Sequence, residues 1–105
     1  PWIVPAAAVP DPHGLTIRTW VNGERRQDGG TNDMHHRIPD LIAFLSRSVP
    51  LRPGDIISTG SPSGSGAGLK PPRYLQPGDR VRVEISGVGA IETLIGPPLP
   101  VAVGT

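Results

Sequence analysis

The segment Leu51-Arg52-Pro53-Gly54-Asp55-Ile56-Ile57-Ser58-Thr59-Gly60-Ser61-Pro62-Ser63-Gly64-Ser65-Gly66 is where residues able to do chemistry concentrate. A proline–glycine turn feeds a short apolar run, which ends among small residues and hydroxyls. Glycine has no Cβ, so backbone amides there can approach a ligand closely. Serine and threonine add hydroxyl donors beside them. The hydroxyls of Thr59 and Ser61, with the N–H groups of Gly60 and Ser61, can together hold a small anion such as a carboxylate. The same composition also describes a flexible surface loop, and spacing alone does not choose between the two.

Common catalytic patterns fail elsewhere. Gly64-Ser65-Gly66-Ala67-Gly68 starts like a dinucleotide-binding loop, but the third glycine of G-x-G-x-x-G falls at Leu69. Lys70 then follows Leu69, so no Walker A pattern forms, and no serine sits in G-x-S-x-G. His35 and His36 are adjacent, and neighbouring side chains point apart on most backbones. Without H-E-x-x-H spacing or an acidic partner they read as surface histidines.

The elements that must carry the loop are short and turn-rich. Four prolines before Gly14 make residues 1–14 an irregular or extended lead-in. Residues 16–21 read as a strand, Asn22-Gly23 as a hairpin turn, and Glu24 to Asp28 as the returning edge strand. Residues 29–33 form a loop. Pro39 suits a first helical turn, and Leu41, Ile42, Phe44 and Leu45 place an apolar stripe on a helix over 39–48. Two copies of one device follow, Leu51-Arg52-Pro53-Gly54-Asp55 and Leu75-Gln76-Pro77-Gly78-Asp79. Each reads as a type II turn that launches a strand, Ile56 to Thr59 and Val81 to Ile85. Asp55 and Asp79 read as turn caps. Ala90 to Ile95 pairs back after a turn at 86–89. The fold class is mainly β with one short helix.

Composition bounds the rest. The chain has 105 residues, 36% of them apolar, with 14 glycines and 14 prolines. That allows one thin core, or one completed by further chain. A net charge of +1, scattered arginines and few aromatics (two Trp, one Tyr, one Phe) argue against a nucleic-acid partner. The absence of cysteine excludes disulfides and thiolate metal sites and fits a reducing compartment. No apolar run is long enough to span a membrane. A cytoplasmic protein is the expectation. Pro1-Trp2-Ile3-Val4-Pro5 reads as the interior of a longer polypeptide.

Taken in order, Pro1-Trp2-Ile3-Val4-Pro5, Val21-Asn22-Gly23-Glu24, Gln27-Asp28-Gly29 and Thr31-Asn32-Asp33-Met34 resemble the C-terminal half of the fumarylacetoacetate hydrolase family. Leu41-Ile42-Ala43-Phe44-Leu45-Ser46, the L-x-P-G-D-x-I-x-T-G stretch and Lys70-Pro71-Pro72-Arg73-Tyr74-Leu75 continue the match. Residues 1–96 would be the C-terminal portion of the catalytic domain, and 97–105 an irregular tail. The resemblance implies part of a mixed β-sandwich roll, usually assembled as a homodimer. It also implies Mg²⁺ or Mn²⁺ acting on a small-molecule carboxylate with a 2-oxo or enol group. The family's T-G-T-P maps to Thr59-Gly60-Ser61-Pro62, which makes Thr59, Gly60 and Ser61 the substrate-binding residues. The metal-binding carboxylates and a lysine precede the P-W-[IV]-V-P stretch, so no catalytic or metal residue is expected within 1–105. Asp11, Asp28, Asp33, Asp40, Asp55 and Asp79 do not replace them.

The resemblance also implies a glutamate after this loop in the founding hydrolases; none lies between Ser61 and Pro77, so the resemblance points to a bacterial-type isomerase or acylpyruvate hydrolase. The missing N-terminal portion is then the main partner, and the 105-residue piece alone is expected to be inactive. The alternatives are a non-catalytic β-rich module that binds a partner chain or small anion, and a structural domain with no ligand.

Overall fold

The computed structural model describes residues 3–100. Pro1, Trp2 and the last five residues of the tail lie outside the described residues. Four strands form one antiparallel sheet: β1 (Thr16–Val21), β2 (Glu24–Gly30), β3 (Arg80–Ile85) and β4 (Gly89–Leu94), in the order β2-β1-β3-β4. One helix, α1 (Ile38–Ser46), lies in the long connection between β2 and β3. The chain is mainly β with one short helix.

Local sequence explains most of these elements. The β1–β2 hairpin turns at Asn22 and Gly23, with φ of 51° and 81°, the left-handed pair that matches strand twist. β2 sits at the sheet edge, as its polarity requires, but runs on through Gly30. A register shift opposite Thr19 and Trp20 leaves Arg26 as an extra residue on β2. Helix α1 carries proline in its first turn. It starts one residue earlier than the apolar stripe indicates and ends two earlier. The N–H of Ile38 donates to Nε2 of His13 at 3.2 Å, a cap from 25 residues upstream.

Both proline–glycine devices fold as type II turns, with Gly54 at φ 96° and Gly78 at φ 91°. In each, the aspartate N–H donates back across the turn, at 3.1 Å to the Arg52 carbonyl and 3.0 Å to the Gln76 carbonyl. Each aspartate carboxylate accepts the N–H three residues before it, at 2.8 Å from Arg52 and 2.8 Å from Gln76. The second copy is locked into the sheet. Asn22 Nδ2 donates to Asp79 at 2.9 Å, and the Arg80 N–H donates to Asn22 Oδ1 at 2.9 Å.

The first copy launches no paired strand. Residues 55–62 belong to no ladder, which corrects the expected strand Ile56 to Thr59. β-branched residues at Ile56, Ile57 and Thr59 favour an extended chain, but a strand also needs a neighbour to receive its hydrogen bonds. None is present among the described residues, and Ile56 is 94% exposed.

The core is correspondingly open. Val21, at 6% exposure, is the buried apolar residue among those described, while Phe44 is 68% exposed and Ile91 52%. Accessible surface totals 8439 Å², against about 5,600 Å² for a compact monomer of this mass. The radius of gyration is 16.7 Å, against about 13 Å for a compact domain of this length.

Two hydrogen bonds, first from the Gln76 N–H and then from Asn22, hold the Asp79 carboxyl below the usual aspartate range. A depressed carboxyl adds stability above its unfolded pKa and loses it as pH falls through the folded one. Stability should therefore decline below the ordinary aspartate range, and Asp79→Asn should flatten that acid limb in urea titrations at stepped pH. An unchanged acid limb would contradict the assignment.

Candidate functional site

A cleft of about 380 Å³ opens where the 59–63 segment crosses the end of β2. Thr59, Gly60 and Ser61 form one wall, and Gly29, Gly30 and Thr31 stand opposite. All three expected binding residues thus lie on one cavity. Among the described residues, the N–H groups of Thr59, Gly60 and Ser61 donate no hydrogen bond within the chain, and neither does the Thr59 hydroxyl. All three residues are exposed along the cleft, and donors left free in this way suit a carboxylate.

β2 positions that wall. Pro62 packs on Gly29, where a Cβ would lie 3.0 Å from the proline Cβ. Gln27 Nε2 donates to the Pro62 carbonyl at 2.9 Å and to Ser61 Oγ at 3.1 Å. Gln27 Oε1 accepts the Thr19 hydroxyl at 2.9 Å across the β1–β2 ladder. Sequence reasoning singled out neither Gln27 nor Thr19 as part of the site. Their side chains join the loop across more than thirty residues of chain, and no local pattern encodes that contact.

Two of the loop glycines have a different role from the one their sequence suggests. A Cβ at Gly64 would collide with the carbonyl of Arg26, the bulge residue, and one at Gly66 with the carbonyl of Arg73. Their close approach is to the protein's own backbone. Gly60, by contrast, has nothing within 4 Å of its Cβ position. Further anchoring comes from Arg73, whose guanidinium donates twice to Glu24, at 2.9 and 3.3 Å. That pairing holds the Glu24 carboxyl below its ordinary range.

The far side of the cleft carries Asp28, Asp33 and His35. Asp28 is paired with Arg18 at 3.0 Å and Arg25 at 3.3 Å, which offsets its charge toward an incoming anion. His35 and His36 do not diverge: their rings meet edge to face with centroids 5.1 Å apart. Among the described residues, no group of three or more His, Cys, Asp or Glu side chains is arranged to hold a metal ion. The residues present do not by themselves fit a metal site. No helix among the described residues is long and apolar enough to cross a membrane.

The family model for the fumarylacetoacetate (FAA) hydrolase C-terminal region matches residues 1–95. The chain belongs to the fumarylacetoacetate hydrolase family. An uncharacterised protein of Staphylococcus haemolyticus is 50% identical over 95 residues, covering 90% of this chain and 32% of that protein. Maleylpyruvate hydrolase from Sphingobium sp. SYK-6, solved in complex with manganese(II) ion and pyruvate, superposes with a TM-score of 0.81. It is 40% identical, over 90% of this chain and 33% of that one. The 5-carboxymethyl-2-hydroxymuconate delta-isomerase from Mycobacterium smegmatis gives a TM-score of 0.72 at 34% identity, over 82% of this chain and 32% of that one. The chain spans about a third of the length of these relatives. Solved relatives of this C-terminal fold therefore include both a hydrolase and an isomerase.

Proposed function

We propose that the chain is the C-terminal portion of a divalent-metal-dependent enzyme acting on 2-oxo or 2-hydroxy-dienoate carboxylates, and that it supplies the loop that binds the substrate carboxylate. Residues 1–96 would belong to the catalytic domain and 97–105 to a tail. The observation that carries this reading is the row of unused donors at Thr59, Gly60 and Ser61 along one cleft wall. Pyruvate in the Sphingobium relative is a small carboxylate of the matching class.

The reaction would be acylpyruvate C–C hydrolysis or keto–enol isomerisation, both of which pass through an enolate. The hydrolase and isomerase relatives support either one, and the absence of glutamate between Ser61 and Pro77 favours the bacterial-type members. Mg²⁺ or Mn²⁺, held by residues outside this chain, would supply Lewis-acid stabilisation of that enolate. Within this chain, the Thr59 and Ser61 hydroxyls and adjacent N–H groups hold the carboxylate and orient the 2-oxo group. A cytoplasmic homodimer is the proposed setting. The unpaired segment 56–58, with Ile56 94% exposed, fits a domain completed by the rest of the polypeptide.

The test is an acylpyruvate assay with Mg²⁺ or Mn²⁺ on the complete enzyme and on the 105-residue chain. Turnover by the complete enzyme alone is expected. Turnover by the isolated chain would overturn the assignment of residues. The apolar surface at Phe44 and Ile56 also fits a non-catalytic module that binds a partner chain. Native mass spectrometry separates the two: a natural polypeptide that is a lone species of 11.0 kDa favours the module.

A further inference from the structure

We infer that Gln27 is a positioning residue that aims the Ser61 hydroxyl proton at the substrate carboxylate, an inference that rests on the carboxylate-loop reading above. The amide of Gln27 can adopt only one orientation here. The Pro62 carbonyl can accept but never donate, so the group 2.9 Å from it must be Nε2. The same Nε2 lies 3.1 Å from Ser61 Oγ and donates to it. Oε1 then faces Thr19, whose hydroxyl donates at 2.9 Å and closes the chain of bonds.

The consequence falls on Ser61. A hydroxyl has one proton and two acceptor sites. With an acceptor site taken by Gln27, its proton is not spent on the amide and stays available for the cleft it shares with Thr59 and Gly60. Accepting a hydrogen bond also polarises the O–H and strengthens it as a donor. The relay Thr19–Gln27–Ser61 thus starts on a central strand of the sheet and ends at the substrate loop. It sets the direction of a proton that a serine would otherwise rotate freely. Gln27 is absent from the lining of that cleft and, with Thr19 and Ser61, lines a second cavity of about 390 Å³, so Ser61 borders both.

The test uses the complete enzyme, pyruvate as a competitive carboxylate probe, and the variants Gln27→Met, Gln27→Glu, Ser61→Ala and Gln27→Met/Ser61→Ala. Methionine keeps length and removes both hydrogen-bonding groups. It should weaken pyruvate inhibition about two- to tenfold, with the loss falling on KM more than on kcat. In the Ser61→Ala background the same change should have an effect below about twofold, because the hydroxyl to be aimed is gone. Glutamate would invert the relay, since an ionised carboxylate draws the Ser61 proton to itself. Its penalty should be larger at neutral pH and shrink as pH falls through the carboxyl range.

Equal penalties for Gln27→Met with and without Ser61 would overturn the inference and leave the carboxylate loop standing. A pH-independent Gln27→Glu penalty would do the same, and that variant remains informative should the methionine variant misfold. If Ser61→Ala has no effect on pyruvate, the carboxylate-loop reading fails first and the inference falls with it.

Discussion

Replacing Ser61 by alanine in the complete enzyme is expected to weaken carboxylate binding about tenfold or more. A hydrogen bond to a charged group contributes roughly 1.5–3 kcal/mol, and each 1.4 kcal/mol is about a factor of ten in affinity. The removed hydroxyl is exposed on the cleft wall, so the fold should tolerate its loss. Where the family pattern carries threonine, this chain carries serine, which keeps the donor and lacks the methyl that restrains its rotation. The Gln27 contact at 3.1 Å restores some of that restraint. Pyruvate inhibition constants and substrate KM should rise together, while Ser48→Ala, beyond the end of α1, should change neither. An unaltered inhibition constant in Ser61→Ala would remove the carboxylate from this loop.

Gly64→Ala should be among the most destabilising single-methyl changes in the chain. Gly64 has φ 102°, a region that costs a residue with a side chain about 1–3 kcal/mol. Its Cβ would also fall on the Arg26 carbonyl at the bulge of β2. That carbonyl lies between the ladder-paired residues Arg25 and Gln27, so relief requires moving β2 or the loop, a further cost of about 1–3 kcal/mol. A combined loss of about 2–6 kcal/mol should appear in urea midpoints of the complete enzyme. Gly96→Ala, whose Cβ position has nothing within 4 Å, should stay within about 0.5 kcal/mol of the parent. Because Gly64 follows the substrate loop so closely, Gly64→Ala should also weaken carboxylate binding. A stable Gly64→Ala protein would mean that the loop stands off β2.

These two sites differ in how much of them the sequence discloses. Turns and the hairpin were legible because each depends on two or three adjacent residues. Asn22-Gly23 requires left-handed backbone, and Pro53-Gly54-Asp55 and Pro77-Gly78-Asp79 carry both the turn and its cap. Helix α1 was legible through its stripe, though not its cap, because His13 reaches it from 25 residues away. Thr59, Gly60 and Ser61 were legible as donors and do line one cleft.

What failed was whatever depends on a distant partner. Ile56 to Thr59 has the composition of a strand, yet no neighbour among the described residues receives its hydrogen bonds. Gly64 and Gly66 have the composition of a ligand cradle, yet they make room for the carbonyls of Arg26 and Arg73. Gln27 is an ordinary polar strand residue until Pro62 and Ser61 are laid beside it. Composition encodes a preference for each of these states, and only tertiary contact decides which one is used.

The most direct measurement is a crystal structure of the complete enzyme with Mn²⁺ and pyruvate. A pyruvate carboxylate oxygen within hydrogen-bonding distance of Ser61 Oγ and of the Gly60 or Ser61 N–H is the predicted result. Pyruvate bound elsewhere, with the Thr59–Ser61 wall facing only water, would contradict the assignment of this loop.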